Sequence, residues 1–423
     1  MNDHVADHSH DGAGLRELYE QIRGTTHNLI EPLSPEDCLV QSMPDASPTK
    51  WHLAHTTWFF ETFFLRQYVP NYQDYCDSFL YLFNSYYNGV GEQYPRPGRG
   101  LISRPSLQEV IDYRRSIDEC VLEQIDKGVP RRALDVITLG LHHEQQHQEL
   151  ILTDVKHMFS LNPGIASYLS RDTPQKKVDD SLFWVPYEGG VFRFGHEGKS
   201  FCFDNEYPNH EVLLSSFLLA SRLTTNWEFQ QFIEDGGYNK PELWLSEGWE
   251  MVRNEGWTAP LYWQKRSSNY ITKTLWGTHE IVGSEPVVHL SFYEADAFSR
   301  WAGSRLATEY EWEHAASNLK STGNFLDSGN LHPSSLVPDC SDDPKQMFGD
   351  VWEWTASPYV PYPGYRPAEG AVGEYNGKFM CNQYVLRGGS CVTPQRHIRP
   401  TYRNFFPAHA RWQFSGLRLA KDA

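Results

Sequence analysis

Apolar residues recur at helical spacing through roughly the first 160 positions of this 423-residue chain. Side chains of this kind return every three or four positions in four stretches: residues 15–33, 47–63, 106–127 and 131–159. This periodicity predicts four helices, and Ser47 followed by Pro48 is a typical start, with Ser47 as the N-cap of the second helix. Four helices of such length favour an antiparallel bundle.

The pattern changes after residues 162–180, where Pro, Gly and a charged stretch predict a linker. Short alternating runs, frequent Gly and Pro, and many aromatic residues follow. Residues 184–186 and 189–195 predict strands joined by tight turns, while 226–235 and 292–317 have helical spacing. We therefore expect a multidomain α+β protein: a disordered tail at 1–13, a helical domain at 14–161, the linker, and a loop-rich α+β domain at 181–423.

Composition limits the possible partners of the chain. Hydrophobic residues make up 40% of it, enough for packed cores, and a formal charge of −17 disfavours nucleic acid and anionic membranes. There is no apolar run of membrane-spanning length and no secretion signal at the N-terminus. Seven scattered cysteines without a C-x-x-C pair indicate reduced thiols. These features predict a cytoplasmic protein, and they are compatible with a homo-oligomer.

Three histidines form a candidate metal site. His143 and His147 are four positions apart, which places both imidazoles on one face of the fourth predicted helix. His55 lies in the second predicted helix, so facing helices would bring three nitrogen ligands together and leave coordination positions open for chemistry. Glu149 is poorly placed as a third ligand, which favours three histidines over two histidines and a carboxylate. Spacing alone leaves the metal undecided, because zinc binds the same groups.

Five ordered motifs in the second half of the chain resemble the sulfatase-modifying-factor domain, which has a C-type-lectin-like fold. They occupy residues 189–195, 305–313, 348–354, 386–390 and 415–419. The H-x-x-x-H-x-E string at 143–149 resembles that of a DinB-type four-helix domain. This pair of domains, in this order, resembles the iron-dependent sulfoxide synthases of ergothioneine biosynthesis (the EgtB family).

The resemblance implies an oxidoreductase that uses non-haem Fe(II) and O₂ to join a cysteine-type thiol to the imidazole C2 of hercynine, giving a sulfoxide. It assigns His55, His143 and His147 as the iron ligands. The remaining implied contacts are to the substrates. Gln146 and Asn404 would bind hercynine, and Arg96 and Arg99 would hold the carboxylate of the thiol substrate, a task suited to guanidinium groups.

The choice of thiol rests on a comparison of two branches of that family. The mycobacterial branch uses γ-glutamylcysteine and carries a tyrosine and an acid in its C-terminal half. Here Phe406 stands at the position of the acid, and the tyrosine position falls near Val372. The branch that uses free cysteine has an adjacent tyrosine pair and a Phe-Phe pair, matched here by Tyr86-Tyr87 and Phe405-Phe406. We therefore predict L-cysteine as the thiol, with Phe405 and Phe406 in its binding site.

Tyr86 and Tyr87 are the candidate proton donors, since a phenol beside the reacting oxygen is able to steer the reaction towards carbon–sulfur bond formation. The sequence does not choose between them. Two alternatives stay open. One is the same chemistry with γ-glutamylcysteine or another thiol or selenium donor. The other is a non-catalytic metal-binding domain joined to a lectin-like binding module.

Overall fold

A computed structural model describes residues 12–163, 167–170, 181–267, 269–337, 341–369 and 371–423. The predicted disordered tail up to residue 11, and segments 164–166 and 171–180 of the predicted linker, lie outside the described residues. The described residues form two compact units. The first contains those within Met1–Asn162, together with Lys199–Phe201 and Pro367–Tyr375, and the second contains the others.

The four predicted helices are present in the first unit. The helices of this unit are α1 (Gly12–Ile30), α2 (Thr49–Phe59), α3 (Arg66–Tyr68), α4 (Phe79–Leu82), α5 (Leu107–Lys127) and α6 (Arg131–Leu161). Helix α2 continues into α3 through a π-helical turn, Phe60–Leu65. Every residue of α2 is buried, so this helix forms the centre of the unit and packs against both α5 and α6.

The prediction that Ser47 caps α2 is wrong. Pro48 is the residue that flanks the helix, and no side chain caps its N-terminus. The Ser47 hydroxyl instead accepts a hydrogen bond from Arg99 Nη1 at 2.9 Å, and its backbone N–H donates to Asp154 Oδ2 at 2.8 Å. The side chain is therefore committed to a tertiary contact that local sequence does not reveal.

Close approach of α2 and α6 depends on a small residue. Gly140 lies on α6 three positions before His143, and a Cβ atom there would stand 3.0 Å from the Phe59 ring of α2 and 2.6 Å from the Phe60 ring that follows it. A buried ion cluster also joins these helices to α1 and α5. Arg23 and Arg114 both donate to the carboxylate of Glu144, and despite burial, which opposes its charge, these two arginines hold the pKa of Glu144 at about 2. Glu144 is thus a fully compensated buried charge.

The second unit is built from short strands and helices. Its strands are β1 (Trp184–Tyr187), β2 (Gly190–Phe194), β3 (His210–Leu214), β4 (Phe217–Ala220), β5 (Trp263–Arg266), β6 (Asn269–Thr274), β7 (Gly277–Glu280), β8 (Arg305–Leu306), β9 (Trp352–Pro358), β10 (Gln383–Arg387), β11 (Asn404–Pro407), β12 (Ser415–Gly416) and β13 (Leu419–Asp422). Its helices are α7 (Asn226–Glu234), α8 (Ser246–Glu255), α9 (Phe292–Trp301) and α10 (Glu309–Ala316). The expected α+β class is confirmed.

Two four-stranded sheets, in the orders β1-β4-β13-β8 and β11-β10-β9-β12, carry most of this unit. The strands predicted at 184–186 and 189–195 are β1 and β2, but they do not pair with each other: β1 pairs with β4 and β2 with β3. The helical spacing at 292–317 covers two helices rather than one. Gly303, at φ +64°, follows α9 in the left-handed conformation that ends helices, and β8 comes between α9 and α10.

Within the described part of the chain, none of the helices combines the length and the apolar character that crossing a bilayer requires.

Candidate metal centre

Three imidazoles converge in the first unit, as the spacing of the histidines predicts. Helix α2 supplies His55, and α6 supplies His143 and His147 one turn apart. Their ligand atoms all lie within 4.8 Å of one another, and all three side chains are buried. The Nε2 atoms of His55 and His143 are 3.2 Å apart.

This arrangement fits a metal ion. Two imidazole nitrogens bonded at ~2.1 Å to one ion, in tetrahedral or octahedral directions, lie roughly 3.0–3.4 Å apart. Burial lowers the pKa values of His55 and His147 well below the usual 6.5 and that of His143 to about 3. Each ring is therefore neutral near pH 7, which is the form that binds metals. Three neutral nitrogen donors without a carboxylate leave room for further ligands.

The outer nitrogens of the three rings have different partners. His55 Nδ1 lies 2.6 Å from the Phe83 carbonyl oxygen, so it donates there and Nε2 remains as the ligand atom. His147 Nδ1 lies 2.8 Å from His52 Nδ1. His143 Nδ1 has no hydrogen-bond partner among the described residues. Such outer contacts fix the tautomer and the orientation of a metal-binding imidazole.

Aromatic rings on α2 hold His55 in place. Trp51 stacks on it with ring centroids 4.6 Å apart and an interplanar angle of 13°, and Trp58 stacks with centroids 5.6 Å apart. These residues precede and follow His55 by four and three positions, so helical geometry places all three rings along one stripe. The guanidinium carbon of Arg99 lies 3.4 Å from the centroid of the Trp51 ring.

Arg99 is a buried cation without a carboxylate partner in the described part of the chain. It is 5% exposed, donates from Nη1 to the Ser47 hydroxyl, and has no partner for Nε. Burial, followed by the nearby charge of Arg96, lowers its pKa to about 9, and the Asp154 charge, which raises the pKa, offsets this only in part. Arg96 is on the same 3₁₀ turn, but it is exposed and donates to the Asp45 carbonyl. The two predicted carboxylate-binding arginines therefore lie in different environments.

Tyr375 is a site residue that the sequence reasoning missed. Its hydroxyl donates a short hydrogen bond to Gln146 Oε1, and its ring centroid lies 5.7 Å from that of His143. It belongs to the first unit through the segment Pro367–Tyr375. The family comparison placed a tyrosine position near Val372, three residues earlier. With 23 tyrosines in the chain, nothing local distinguishes this one.

The predicted tyrosine pair lies next to Tyr375. The hydroxyls of Tyr86 and Tyr87 are 3.4 Å apart, and the rings of Tyr86 and Tyr375 have centroids 6.5 Å apart. Burial, followed by the charges of Tyr86 and Tyr375 if ionised, raises the pKa of Tyr87 well above 10, so this phenol keeps its proton near neutral pH. The loop after Tyr87 is anchored by the Glu374 carboxylate, which accepts hydrogen bonds from the backbone N–H groups of Asn88 (3.0 Å) and Gly89 (2.6 Å).

The predicted residues Asn404, Phe405 and Phe406 lie in β11 of the second unit, paired with β10. Asn404 Oδ1 accepts from the Phe405 backbone N–H at 2.9 Å, and the Phe405 ring stacks on Tyr359 with centroids 4.1 Å apart. Their contact with a substrate remains a prediction.

Two family models match the chain. The Sulfatase-modifying factor enzyme 1-like domain matches residues 169–338 and 343–423, more than half of the chain, and the DinB superfamily matches residues 18–151. The site histidines at 55, 143 and 147 all fall within the DinB match. The two matches together cover the helical and the loop-rich regions expected from the hydrophobic pattern.

Curated relatives match both regions at once. The hercynine oxygenase of Mycobacterium tuberculosis is 30% identical over 428 residues, covering 95% of this chain and 97% of its own. That of Mycolicibacterium thermoresistibile is 30% identical and covers 96% and 95%. That of Mycolicibacterium smegmatis is 33% identical over 67% of this chain and 71% of its own. The chain therefore belongs to the hercynine oxygenase family and is an enzyme of the oxygenase and sulfoxide synthase class, with its DinB-type domain ahead of its sulfatase-modifying factor domain.

Proposed function

We propose that this enzyme joins the sulfur of L-cysteine to the imidazole C2 of hercynine, with Fe(II) held by His55, His143 and His147 and with O₂ as oxidant. The product is hercynylcysteine sulfoxide. The thiol and the ring C–H each lose hydrogen, one oxygen atom ends on sulfur, and the other leaves as water. The observation that carries this proposal is the cluster of three buried, neutral imidazoles in a chain that aligns with hercynine oxygenases over most of its length.

The donor set is compatible with several divalent metals, and iron is proposed from the family and from the need to reduce O₂. When bound, an iron(II) ion would supply the one-electron chemistry that O₂ requires, and it would favour the thiolate form of the thiol substrate. We propose that residues of the chain around this centre bind and orient the organic substrates and deliver a proton.

The environment of Arg99 is evidence for a substrate that carries a negative charge. A buried guanidinium without a salt bridge is costly unless a bound anion neutralises it, and the Asp154 charge offsets the burial of Arg99 only in part. Its stack on Trp51, which itself stacks on His55, places this charge one ring away from the proposed metal ligands. We assign Arg99 to the carboxylate of the thiol substrate, with exposed Arg96 in a weaker supporting role.

We propose that Gln146 contacts hercynine. It precedes His147 on α6, and the Tyr375 hydroxyl donates to its amide oxygen. That bond fixes the orientation of the amide beside the imidazole cluster, so that Gln146 is able to hold the hercynine ring in one orientation. We propose Asn404 as a second polar contact to hercynine, and Phe405 and Phe406 as residues that limit the size of the thiol site.

Tyr86, Tyr87 and Tyr375 form a group of phenols, and the Tyr375 ring lies beside His143. A phenol that stays protonated near neutral pH is able to donate its proton as charge develops on oxygen. We propose Tyr86 or Tyr87 as the donor, and the contacts of Tyr375 add it as a third candidate.

The test is oxygen consumption by Fe(II)-loaded enzyme given hercynine with L-cysteine or with γ-glutamylcysteine at equal concentration, with products identified by mass spectrometry. We expect faster uptake with L-cysteine and a product mass equal to both substrates plus one oxygen atom minus two hydrogen atoms. Faster turnover of γ-glutamylcysteine would overturn the thiol assignment alone. Absence of uptake with every donor would overturn the proposed activity.

We also propose that the enzyme acts in the cytoplasm, where thiols stay reduced. The six cysteines among the described residues form no disulfide with one another. Cell fractionation with an antibody to the protein tests this placement, and recovery from an extracellular or periplasmic fraction would contradict it.

A further inference from the structure

A pair of buried polar side chains stands behind His147. His52 lies on α2 three positions before His55, and Asp154 lies on α6 seven positions after His147. The two are 3% and 7% exposed. His52 Nδ1 is 2.8 Å from His147 Nδ1, and His52 Nε2 is 3.0 Å from Asp154 Oδ2. His147 is thus linked through a second imidazole to a carboxyl group.

Asp154 is an unusual group at this depth. Within the described part of the chain it forms no ion pair with an arginine or lysine, unlike Glu144 on the same helix. Its Oδ2 atom accepts from the Ser47 backbone N–H and faces His52. Its charge raises the pKa of the buried Arg99, but no salt bridge joins the two among the described residues. The side-chain contact that Asp154 makes, to His52 Nε2, directs it towards His147.

The contacts allow one set of proton positions with neutral rings. Asp154 Oδ2 is an acceptor, so His52 Nε2 carries the proton that is donated to it. His52 Nδ1 then has a lone pair and accepts from His147 Nδ1–H. His147 Nε2 in turn has a lone pair directed away from His52. This is the tautomer that a metal ligand needs.

We infer that His52 and Asp154 are positioning residues that fix the Nδ1–H tautomer of His147, hold its ring in place and increase its basicity towards a metal. The inference rests on the proposed metal centre but not on the identity of the substrates. The three proposed ligands therefore differ in the partner of the ring nitrogen that faces away from the metal. His55 donates to a backbone carbonyl and His143 Nδ1 has no partner among the described residues, whereas His147 ends on a carboxyl group.

Two substitutions at one position separate this role from simple packing. The amide of His52→Asn occupies the place of Nδ1, so it still accepts from His147 but does not reach Asp154. The amide of His52→Gln occupies the place of Nε2, so it still reaches Asp154 but leaves His147 Nδ1–H without an acceptor. The proposed role predicts weaker metal binding by the Gln variant than by the Asn variant. A purely structural role predicts similar effects of the two variants, because each keeps one of the two contacts that tie α2 to α6.

The experiment is an anaerobic titration of full-length apoenzyme with Co(II), followed by its visible absorption and by the hyperfine-shifted, exchangeable imidazole N–H resonances. Loss of an outer partner of a ligand imidazole lowers metal affinity by about 10- to 100-fold. We expect a loss of this size for His52→Gln, a smaller loss for His52→Asn, and displacement of one exchangeable resonance in both. Asp154→Asn, which keeps the shape of the side chain, should also weaken binding.

The outcomes are distinguishable. Absence of Co(II) binding by the wild-type protein, or unchanged binding by His147→Ala, would overturn the metal centre itself. Loss of binding in His147→Ala together with wild-type affinity in His52→Gln would overturn this inference and leave the metal centre intact. Thermal unfolding of each apo variant shows whether it folds, and Asp154→Asn provides the independent comparison if a His52 variant does not.

Discussion

Buried arginines in the two units contrast sharply. In the second unit, Arg387 is fully buried and donates to both Glu309 (3.0 Å) and Glu313 (2.8 Å). Burial opposes its charge, yet Tyr362 and these carboxylates hold its pKa above the usual value. In the first unit, Arg99 is almost as deeply buried, has no carboxylate partner in the described chain, and has a pKa lowered to about 9.

Charge pairing therefore distinguishes residues that hold the fold together from residues that serve a binding site. A buried charge that its own chain neutralises contributes to the fold, and one that is left without a salt bridge marks a candidate ligand site. The same division applies inside the first unit, where Glu144 is paired with Arg23 and Arg114 while Arg99 makes no salt bridge among the described residues.

His143→Ala should remove most bound metal and reduce activity by at least about 10³-fold, because it deletes a ligand rather than an outer partner, whose loss costs about 10- to 100-fold. Metal content after dialysis and oxygen uptake measure the two effects. His142→Ala is the matched control, since His142 is adjacent on α6 but its ring stacks on Phe201 with centroids 3.9 Å apart. Equal metal content in the two variants would contradict the assigned centre.

Arg387→Met should lower the free energy of unfolding by about 3–5 kcal/mol, because it leaves a buried carboxylate at Glu313 without its cation. Urea unfolding followed by fluorescence measures this loss. Arg300→Met is the control: its partner Asp296 forms a partly exposed pair on α9, and the expected loss is within about 1 kcal/mol. Similar losses of unfolding free energy in the two variants would contradict a larger stabilising role for the buried ion pair than for the partly exposed one.

Arg99→Met should have the opposite profile. The unfolding free energy should change by no more than about 1 kcal/mol, because an apolar side chain replaces a cation that the protein leaves unpaired. The KM for the thiol substrate should rise by about 10- to 100-fold, the loss expected for a charge-assisted hydrogen bond of about 1.5–3 kcal/mol. The KM for hercynine is the internal control. A large loss of unfolding free energy with an unchanged KM for the thiol would show that Arg99 stabilises the fold and does not bind the thiol substrate.

The apo form should lose stability in acid because of its neutral imidazoles. The folded-state pKa of His143 is about 3, below the usual 6.5, so between these values the unfolded state binds more protons and stability rises with pH. Lowering the pH from 6 to 5 should therefore cost about 1 kcal/mol per buried ring. Urea unfolding of apo wild type and apo His143→Ala at both pH values isolates the contribution of His143. Parallel losses in the two proteins would contradict it.

Replacing both Tyr86 and Tyr87 by Phe should raise the share of cysteine sulfinic acid among the products. Tyr375 leaves a third phenol beside the cluster, so we expect a change in product ratio of about 5-fold, the worth of one hydrogen bond of roughly 1 kcal/mol. Mass spectrometry of the two products measures the ratio, and Tyr81→Phe, at an exposed tyrosine, is the control. An unchanged ratio would remove the pair from the chemistry.

The spacing of residues along the chain predicted those features that depend on one continuous segment. The four helices and the pairing of His143 with His147 follow from spacing along one segment. His55 required only that two buried helices face each other. Gln146 and Tyr375, in contrast, are separated by 229 positions, and no periodicity connects them. Likewise β1 and β2 are neighbours in sequence but pair with different strands, because sheet partners are chosen over long distances.

Because the segment Pro367–Tyr375 belongs to the first unit, the chain cannot be cut at a single position into its two units. A fragment ending at residue 162 would retain the three imidazoles but lose Tyr375 and the Glu374 carboxylate that anchors Asn88 and Gly89. Domain exchange at the apparent boundary in sequence would therefore produce an incomplete bundle. The segment Pro367–Tyr375 and the residues before Asn162 belong to one compact unit, so a chimera should take both segments from the same parent.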